Sequence, residues 1–344
     1  MANPYAALDA YWDTPLAICP DDEPRQMREL VRYATLAPNA HNTQPWQFAL
    51  SPGTIRIYAD YTRSMPWGDP GDRELWISIG CALESMLLAA RRVGYVPTVD
   101  YFPEDEPEEC LRVRFERGDP DTGDPLFAAI PKRQSNRNAY DGRPIPAADI
   151  KAIEQAGVRP GVRTQILTEQ GEFEPVIEVI RGGFAWQRSS REFQKELGSW
   201  IRFNAKSTTT KRDGLATRAM ARPTLPDPIG RFIVRMLTLS GAEEKEIVGK
   251  VRGSSALLVL ITDENDRVTW VQAGQSLVRI KLQLTDRGIL CAHLNNNWQW
   301  EATKATAQRA LGLGTAHPQV TIRLGYSSPL PHAPRRTVED VLRK

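Results

Sequence analysis

From Pro24 the apolar positions Met27, Leu30, Val31 and Ala34 fall at i, i+3, i+4 and i+7, the stripe of an amphipathic helix with a proline in its first turn. The period then changes. Residues 46–50 and 54–59 flank Ser51-Pro52-Gly53, and Ile55, Ile57 and Ala59 alternate, which predicts a hairpin with one buried face. Asp72 opens a longer helix closed by Gly94, whose Leu75, Ile79, Ala82, Leu83, Met86 and Leu87 make a stripe broad enough for a central core helix. Strands are predicted over 96–101 and around Leu111, Val113 and Phe115. Farther on, the pattern predicts helices over 146–156, 171–203, 267–287 and 300–311, with strands over 163–168, 254–262, 289–294 and 320–324. Within 254–262, Leu257 to Ile261 is apolar without interruption, as in a strand buried on both faces.

The helix over 267–287 can be laid on the one from Asp72 at a constant offset, matching Trp76 to Trp270, Gly80 to Gly274, Leu83 to Leu277, Leu88 to Leu282 and Gly94 to Gly288. Each copy precedes a strand, as two copies of one unit would. The turn-rich tract 118–125 is the natural boundary, giving units 1–122 and 123–344.

Two polar stretches interrupt this framework. Between the first helix and the hairpin, Pro38-Asn39-Ala40-His41-Asn42-Thr43-Gln44-Pro45 has prolines at both ends and five polar side chains, so an extended backbone with free N–H and C=O groups is expected there. Past the boundary, Arg133, Ser135 and Arg137 alternate, and in an extended segment they share one side on which an anion such as a phosphate fits. A third, the polar and proline-punctuated tract 205–230, reads as an insertion.

Composition narrows the partners. The 344 residues are 41% hydrophobic and 25% charged, ordinary for a chain with a sizeable core. Lys+Arg 44 against Asp+Glu 42 leaves +2, no overall field for nucleic acid or an acidic membrane. Cys19, Cys81, Cys110 and Cys291 lack metal-ligand spacing and read as reduced thiols. The start lacks a basic stretch followed by an apolar run, and no later run approaches the roughly 20 residues of a membrane span, so a cytoplasmic protein is expected. Glycine-rich nucleotide-binding runs are missing, and His293, His317 and His332 accompany no nucleophile motif; the last two are expected at the surface.

The run Thr35-Leu36-Ala37-Pro38-Asn39-Ala40-His41-Asn42-Thr43-Gln44-Pro45-Trp46 resembles the signature of the nitroreductase-like flavoprotein superfamily, and its His-Asn-Thr-Gln-Pro-Trp core is most similar to the Acg-type branch. The resemblance implies an α+β fold of two nitroreductase-like halves forming a pseudo-dimer within one chain, with FMN between them. It implies that Pro38, Asn39, Ala40 and the Asn42 amide line the flavin ring. Arg133 and Ser135 would hold its phosphate side, and Arg137 the charge near N1 and O2 of the reduced ring. Of the basic tail, Arg335 and Arg336 are both candidates for the phosphate. The Arg212-Asp213-Gly214-Leu215 run matches one that forms a lid in Acg-like proteins, so 205–230 is expected to cover the ring. The strand end Leu294-Asn295-Asn296-Asn297-Trp298, implied to face flavin N5, departs from the usual Asn-Gln-Pro. The twin-arginine leader that relatives often carry is also missing from this sequence.

His41 has an intrinsic pKa near neutrality and is the candidate proton donor, beside Arg137 as the other catalytic candidate. The implied activity is a two-electron reduction of electron-poor small molecules with NAD(P)H or another donor. A flavin-sequestering protein and a dehydrogenating biosynthetic enzyme are the alternatives, in a pseudo-dimeric monomer or a homodimer. Only the first half has the ring-wall loop and only the second the Arg-x-Ser-x-Arg run; the equivalent places read Trp12-Asp13-Thr14-Pro15-Leu16-Ala17 and Ala156-Gly157-Val158-Arg159-Pro160-Gly161-Val162. One FMN per chain is therefore expected.

Overall fold

A computed structural model of the chain describes residues 3–294 and 301–343. After the short helix α1 (Ala6–Asp13), α2 (Glu23–Thr35) begins where the Asp22 carboxylate accepts the Arg25 N–H and Pro24 occupies a first-turn position that needs no donor. The chain next forms the hairpin β1 (Trp46–Ser51) and β2 (Thr54–Ala59), turning at Gly53 with φ +60°. α3 (Arg73–Arg92) is buried along almost its whole length. Asp72 precedes it as expected, but in a left-handed conformation without a capping bond; Asp69 caps instead, its Oδ2 accepting the Leu75 N–H at 2.9 Å. β3 (Tyr95–Tyr101) and β4 (Glu109–Arg117) complete an antiparallel sheet of order β1-β2-β4-β3.

α4 (Pro125–Ala129) and α5 (Ala147–Ala156) lead to β5 (Val162–Leu167). The helix expected over 171–203 is instead two helices and a strand, α6 (Gln170–Ser189), α7 (Arg191–Trp200) and β6 (Ile201–Arg202). Ser190 makes the break, because its extended backbone lets its hydroxyl cap the Phe193 N–H. The insertion is folded: α8 (Ala205–Lys211) precedes β7 (Leu215–Ala216), which pairs in parallel with β6, and α9 (Asp227–Ser240) meets α10 (Ala242–Arg252) at Gly241.

β8 (Ala256–Thr262) is fully buried, as its sequence requires. α11 (Arg267–Asp286), capped by Asp266, is followed by β9 (Leu290–His293), α12 (Glu301–Ala310), β10 (His317–Gly325) and α13 (Val338–Val341). The second sheet is antiparallel with order β5-β8-β10-β9, the same arrangement of first, second, fourth and third strands as the first. Between the sheets α3 crosses α11 at a close approach. A Cβ on Gly80 would overlap the Val271 carbonyl oxygen and one on Gly274 the Ile77 carbonyl oxygen, so only glycine fits. These pairs are related by the same offset as the matched sequences.

The tail runs back over the first sheet, where Leu342 bridges Phe48 and the Arg343 N–H donates to the Phe48 carbonyl at 2.7 Å. That return fixes Arg335 beside the loop 38–45. All four cysteines are free and buried. Among the described residues no helix is long and apolar enough to cross a membrane, and no group of side chains could hold a metal ion.

Candidate functional site

The loop 38–45 is not extended. It coils through a 3-10 turn at Ala40–Asn42, and His41, Asn42 and Gln44 all have φ between +45° and +55°. Left-handed backbone costs each non-glycine residue about 1 kcal/mol or more and must be imposed by its surroundings. Here the loop's own amides impose it. Asn39 Oδ1 accepts the Gln44 N–H at 2.8 Å, and the Asn39 and Ala40 carbonyls accept the Asn42 and Thr43 N–H groups. The Ala40 N–H donates to Ser78 Oγ on α3. Most of the polar backbone expected to be free is therefore satisfied within the protein.

Asn42 and Gln44 join three distant segments. Asn42 Nδ2 donates to the Gly214 and Pro334 carbonyls at 3.1 and 2.9 Å, while its Oδ1 accepts from Arg335 Nη1 at 2.6 Å. Gln44 Nε2 donates to the Arg212 carbonyl and its Oε1 accepts the Arg336 N–H. The Asn42 amide, expected along a ring, is thus spent as a staple between loop, insertion and tail. Asp213 anchors the same corner, pairing with Arg202 at 2.6 Å and with Arg63.

Behind this corner lies a cavity of about 580 Å³. Pro38, Asn39, Ala40, His41 and Asn42 line one wall, Ser78 and Cys81 of α3 with Leu277 of α11 lie along another, and Arg133, Ser135, Arg137 and Arg335 converge on it. Arg133 and Arg335 are 4% and 3% exposed, yet among the described residues neither they, nor Arg137, nor nearby Lys281 form an ion pair with a carboxylate. Arg133 and Arg335 both donate to the Leu36 carbonyl, at 2.9 and 3.3 Å, and both stand over the Trp12 ring; Arg335 Nε has no partner among the described residues. Burial lowers Arg133 to about 10 and pulls Arg335 well down, the neighbouring Arg133 adding to the latter shift. A guanidinium stays protonated even so, and buried cations that pair with no carboxylate suit an anionic ligand.

Four neighbours were not legible as site residues. Trp12 stacks on His332 at 4.3 Å and donates its Nε1–H to the Ala333 carbonyl. His332, expected at the surface, lines the cavity, because the tail returns over α1; burial, then Arg133 and Arg335, lower it to about 4. Lys281, lowered by burial to about 8, lies 2.9 Å from His293 Nε2 and donates to Ser135 Oγ at 3.1 Å. Lys250 donates to the Arg137 carbonyl at 2.8 Å and pairs with Glu246, which also binds Arg222.

Other expectations change. His41 lines the cavity with Nδ1 2.7 Å from Met65 Sδ, but burial, then the charge of Arg137, lower it to about 4, so it is neutral at physiological pH and does not titrate near neutrality. Arg336 turns away: its side chain donates to the Gln44 and Asp340 carbonyls and lies 3.8 Å from Asp60. Leu294 reaches the cavity by its side chain, while its N–H donates to the Thr321 carbonyl at 2.9 Å. Asn295, Asn296, Asn297 and Trp298 lie outside the described residues. Cys81, raised by burial to about 12, is no thiolate.

Gly214 and Leu215 face the cavity from the insertion, and beyond them the wall is mainly apolar, built from Phe184 of α6, Phe193 of α7, Phe203, and Ile233, Val234 and Leu237 of α9, with Arg222 and the α10 residues Glu243, Glu246 and Lys250 also lining it. The cavity therefore has a cationic end made by loop, basic run and tail, and a largely apolar end made by α6, α7, Phe203 and α9.

No family model matches the chain. It is 27% identical over 332 residues to a candidate NAD(P)H nitroreductase of Mycobacterium tuberculosis, covering 94% of this chain and 92% of that protein. It is 23% identical over 330 residues to the protein acg of the same organism, also named as a candidate NAD(P)H nitroreductase, covering 92% and 94%. Among solved structures, the FMN-dependent nitroreductase NfnB of Mycobacterium smegmatis in complex with NADPH shares 14% identity over 65% of this chain and 99% of that one, with a TM-score of 0.43. Over nearly its whole length the chain is similar to these two proteins, both named as candidate NAD(P)H nitroreductases.

Proposed function

We propose that this protein is an FMN-dependent oxidoreductase of the nitroreductase type, which reduces electron-poor small molecules by two electrons at the expense of NAD(P)H or another donor. The observation that carries the reading is the cluster of Arg133, Arg137 and Arg335 at one end of a cavity of about 580 Å³, without a carboxylate partner among the described residues. That volume lies within the usual range of about 300–1,000 Å³ for cofactor sites. The residues fit FMN, since the group brings a phosphate dianion and a planar ring whose reduced form is anionic. Bound there, FMN supplies reversible two-electron transfer. Arg133 and Arg335 hold the phosphate, Ser135 offers its hydroxyl beside them, and Arg137 stabilises negative charge on the reduced ring. The neutral His41 packs beside the ring and can donate a hydrogen bond without carrying charge. The tied insertion excludes water from one face.

One FMN per chain is the stoichiometry that these residues support. At the offset relating α3 to α11, Gln275 stands where Cys81 lines the cavity, and its surroundings are filled by a network instead. Glu84 accepts from Arg159, Gln275 and Arg279 at 2.7–3.0 Å, and Tyr101 donates to Gln275 at 2.8 Å. The common strand order of the two sheets and the reciprocal glycine contacts support the reading of two halves, 1–122 and 123–344. The second reading, flavin storage without turnover, is favoured by the Asn42 and Gln44 staples, which hold the insertion over the loop. Denaturing the purified protein and quantifying released FMN tests the cofactor assignment: about one per chain supports it, and a colourless protein that takes up no FMN contradicts it.

A further inference from the structure

The inner face of α9, with Gly230, Ile233, Val234 and Leu237, lines the apolar end of the cavity. Its outer face is apolar as well. Ile229, Phe232, Ile233, Met236, Leu237 and Leu239 are exposed, from 37% at Ile233 to 65% at Phe232. Ile233 and Leu237 belong to both sets, so apolar surface runs unbroken from the chamber wall to the outside of the molecule. Arg231 and Arg235, one turn apart and exposed, flank this face, and among the described residues neither forms an ion pair. The one acid of the helix, Asp227, accepts from Asn204 Nδ2 at 2.8 Å.

An amphipathic helix with aromatic and aliphatic residues outward and arginines along one edge has the composition of a segment that lies in a lipid interface. At 14 residues, α9 is about 21 Å long, too short to cross a bilayer and long enough to rest in its headgroup plane. In a contact of this face with a second copy the helix offers no free acid to complement the arginines, whereas anionic phospholipid headgroups complement both arginines while acyl chains cover the apolar side. We propose that α9 docks this protein on the surface of an anionic phospholipid bilayer, placing the apolar end of the cavity against the lipid phase. Whole-chain neutrality does not oppose this, because the charge acts within a screening length of about 8–10 Å of the helix. The chamber would then receive apolar acceptors partitioned into lipid.

Co-sedimentation with phosphatidylglycerol/phosphatidylcholine vesicles and with pure phosphatidylcholine vesicles tests the proposal on the full chain as purified, whatever its flavin content or turnover. The expected result is at least tenfold more protein on the anionic vesicles, reduced by high salt. Arg231→Gln with Arg235→Gln should abolish the preference for anionic lipid, and Phe232→Glu with Met236→Glu should abolish binding to either vesicle. None of these four side chains lines the cavity, so flavin content and circular dichroism should be unchanged and report that the variants are folded. Failure of the parent protein to bind, or equal binding by parent and variants, overturns the proposal. So does a dimer in light scattering that Phe232→Glu dissociates, which would assign the face to a second copy.

Discussion

A buried guanidinium without a carboxylate is costly in an empty protein and favourable around an anion, and this makes Arg133 the most informative single residue. Its replacement by alanine should leave the fold intact and weaken FMN retention roughly ten- to a hundredfold, the equivalent of one charge-assisted contact of about 1.5–3 kcal/mol. Equilibrium dialysis measures it, and unchanged retention would remove Arg133 from the phosphate site. His41 leads to a different expectation from that of a free imidazole. With its folded pKa at about 4 against about 6.5 unfolded, His41 favours the folded state fully above 6.5 and loses that contribution as pH falls through 6.5 towards 4; His332 behaves alike. Each contributes up to about 3 kcal/mol of acid sensitivity. Urea unfolding of the apoprotein at stepped pH should therefore show a steeper loss between 6.5 and 4 than His41→Ala does, and turnover should show no His41 inflection near neutrality. Arg133, Ser135 and Arg137 were legible because their convergence needs only local alternation. Trp12, His332 and Lys281 were not, because they arrive through the tail's return and the packing of α11, contacts that no local spacing encodes.

At the scale of elements, the regular periods translated closely into structure, and the differences arose where a polar side chain competed for backbone groups. Ser190 split a continuous helical pattern into α6 and α7, Asp69 rather than Asp72 capped α3, and Asn39 folded the loop 38–45 on itself. The crossing of α3 and α11 rests on glycine. Gly80→Ala must push the Val271 carbonyl away, and the core on both sides leaves little room to yield. It should cost about 1–3 kcal/mol, read as a lower urea midpoint with unchanged slope. Gly274→Ala should do the same through Ile77, and a variant as stable as the parent would show that the helices can slide. The insertion is held to the loop by side chains that sequence could place only as polar. Asn42→Ala removes bonds to Gly214, Pro334 and Arg335 together. Limited proteolysis of 205–230 should accelerate in this variant, and equal cleavage would locate the staple elsewhere.

At the scale of the whole molecule, two sheets of one strand order enclose a helix pair, but only one corner combines the loop, the basic run and the returning tail. The corresponding corner is occupied by Glu84, Arg159, Gln275 and Arg279. The presence of one loop and one basic run was visible in the sequence; the network that fills the other corner was not, because Glu84 and Arg159 are 75 residues apart and no local spacing joins them. A tied insertion and an apolar chamber serve both turnover and storage, and chemistry decides between them. The decisive measurement is an anaerobic titration of the FMN-loaded protein with NADPH, following the flavin's visible absorption, with NADH and then dithionite added in turn. An oxidoreductase that draws on nicotinamide bleaches in proportion to the NADPH added, with one equivalent sufficing for one FMN per chain. Colour that persists with both nicotinamides and vanishes only with dithionite would contradict nicotinamide-driven turnover and assign the site to flavin storage or to another donor.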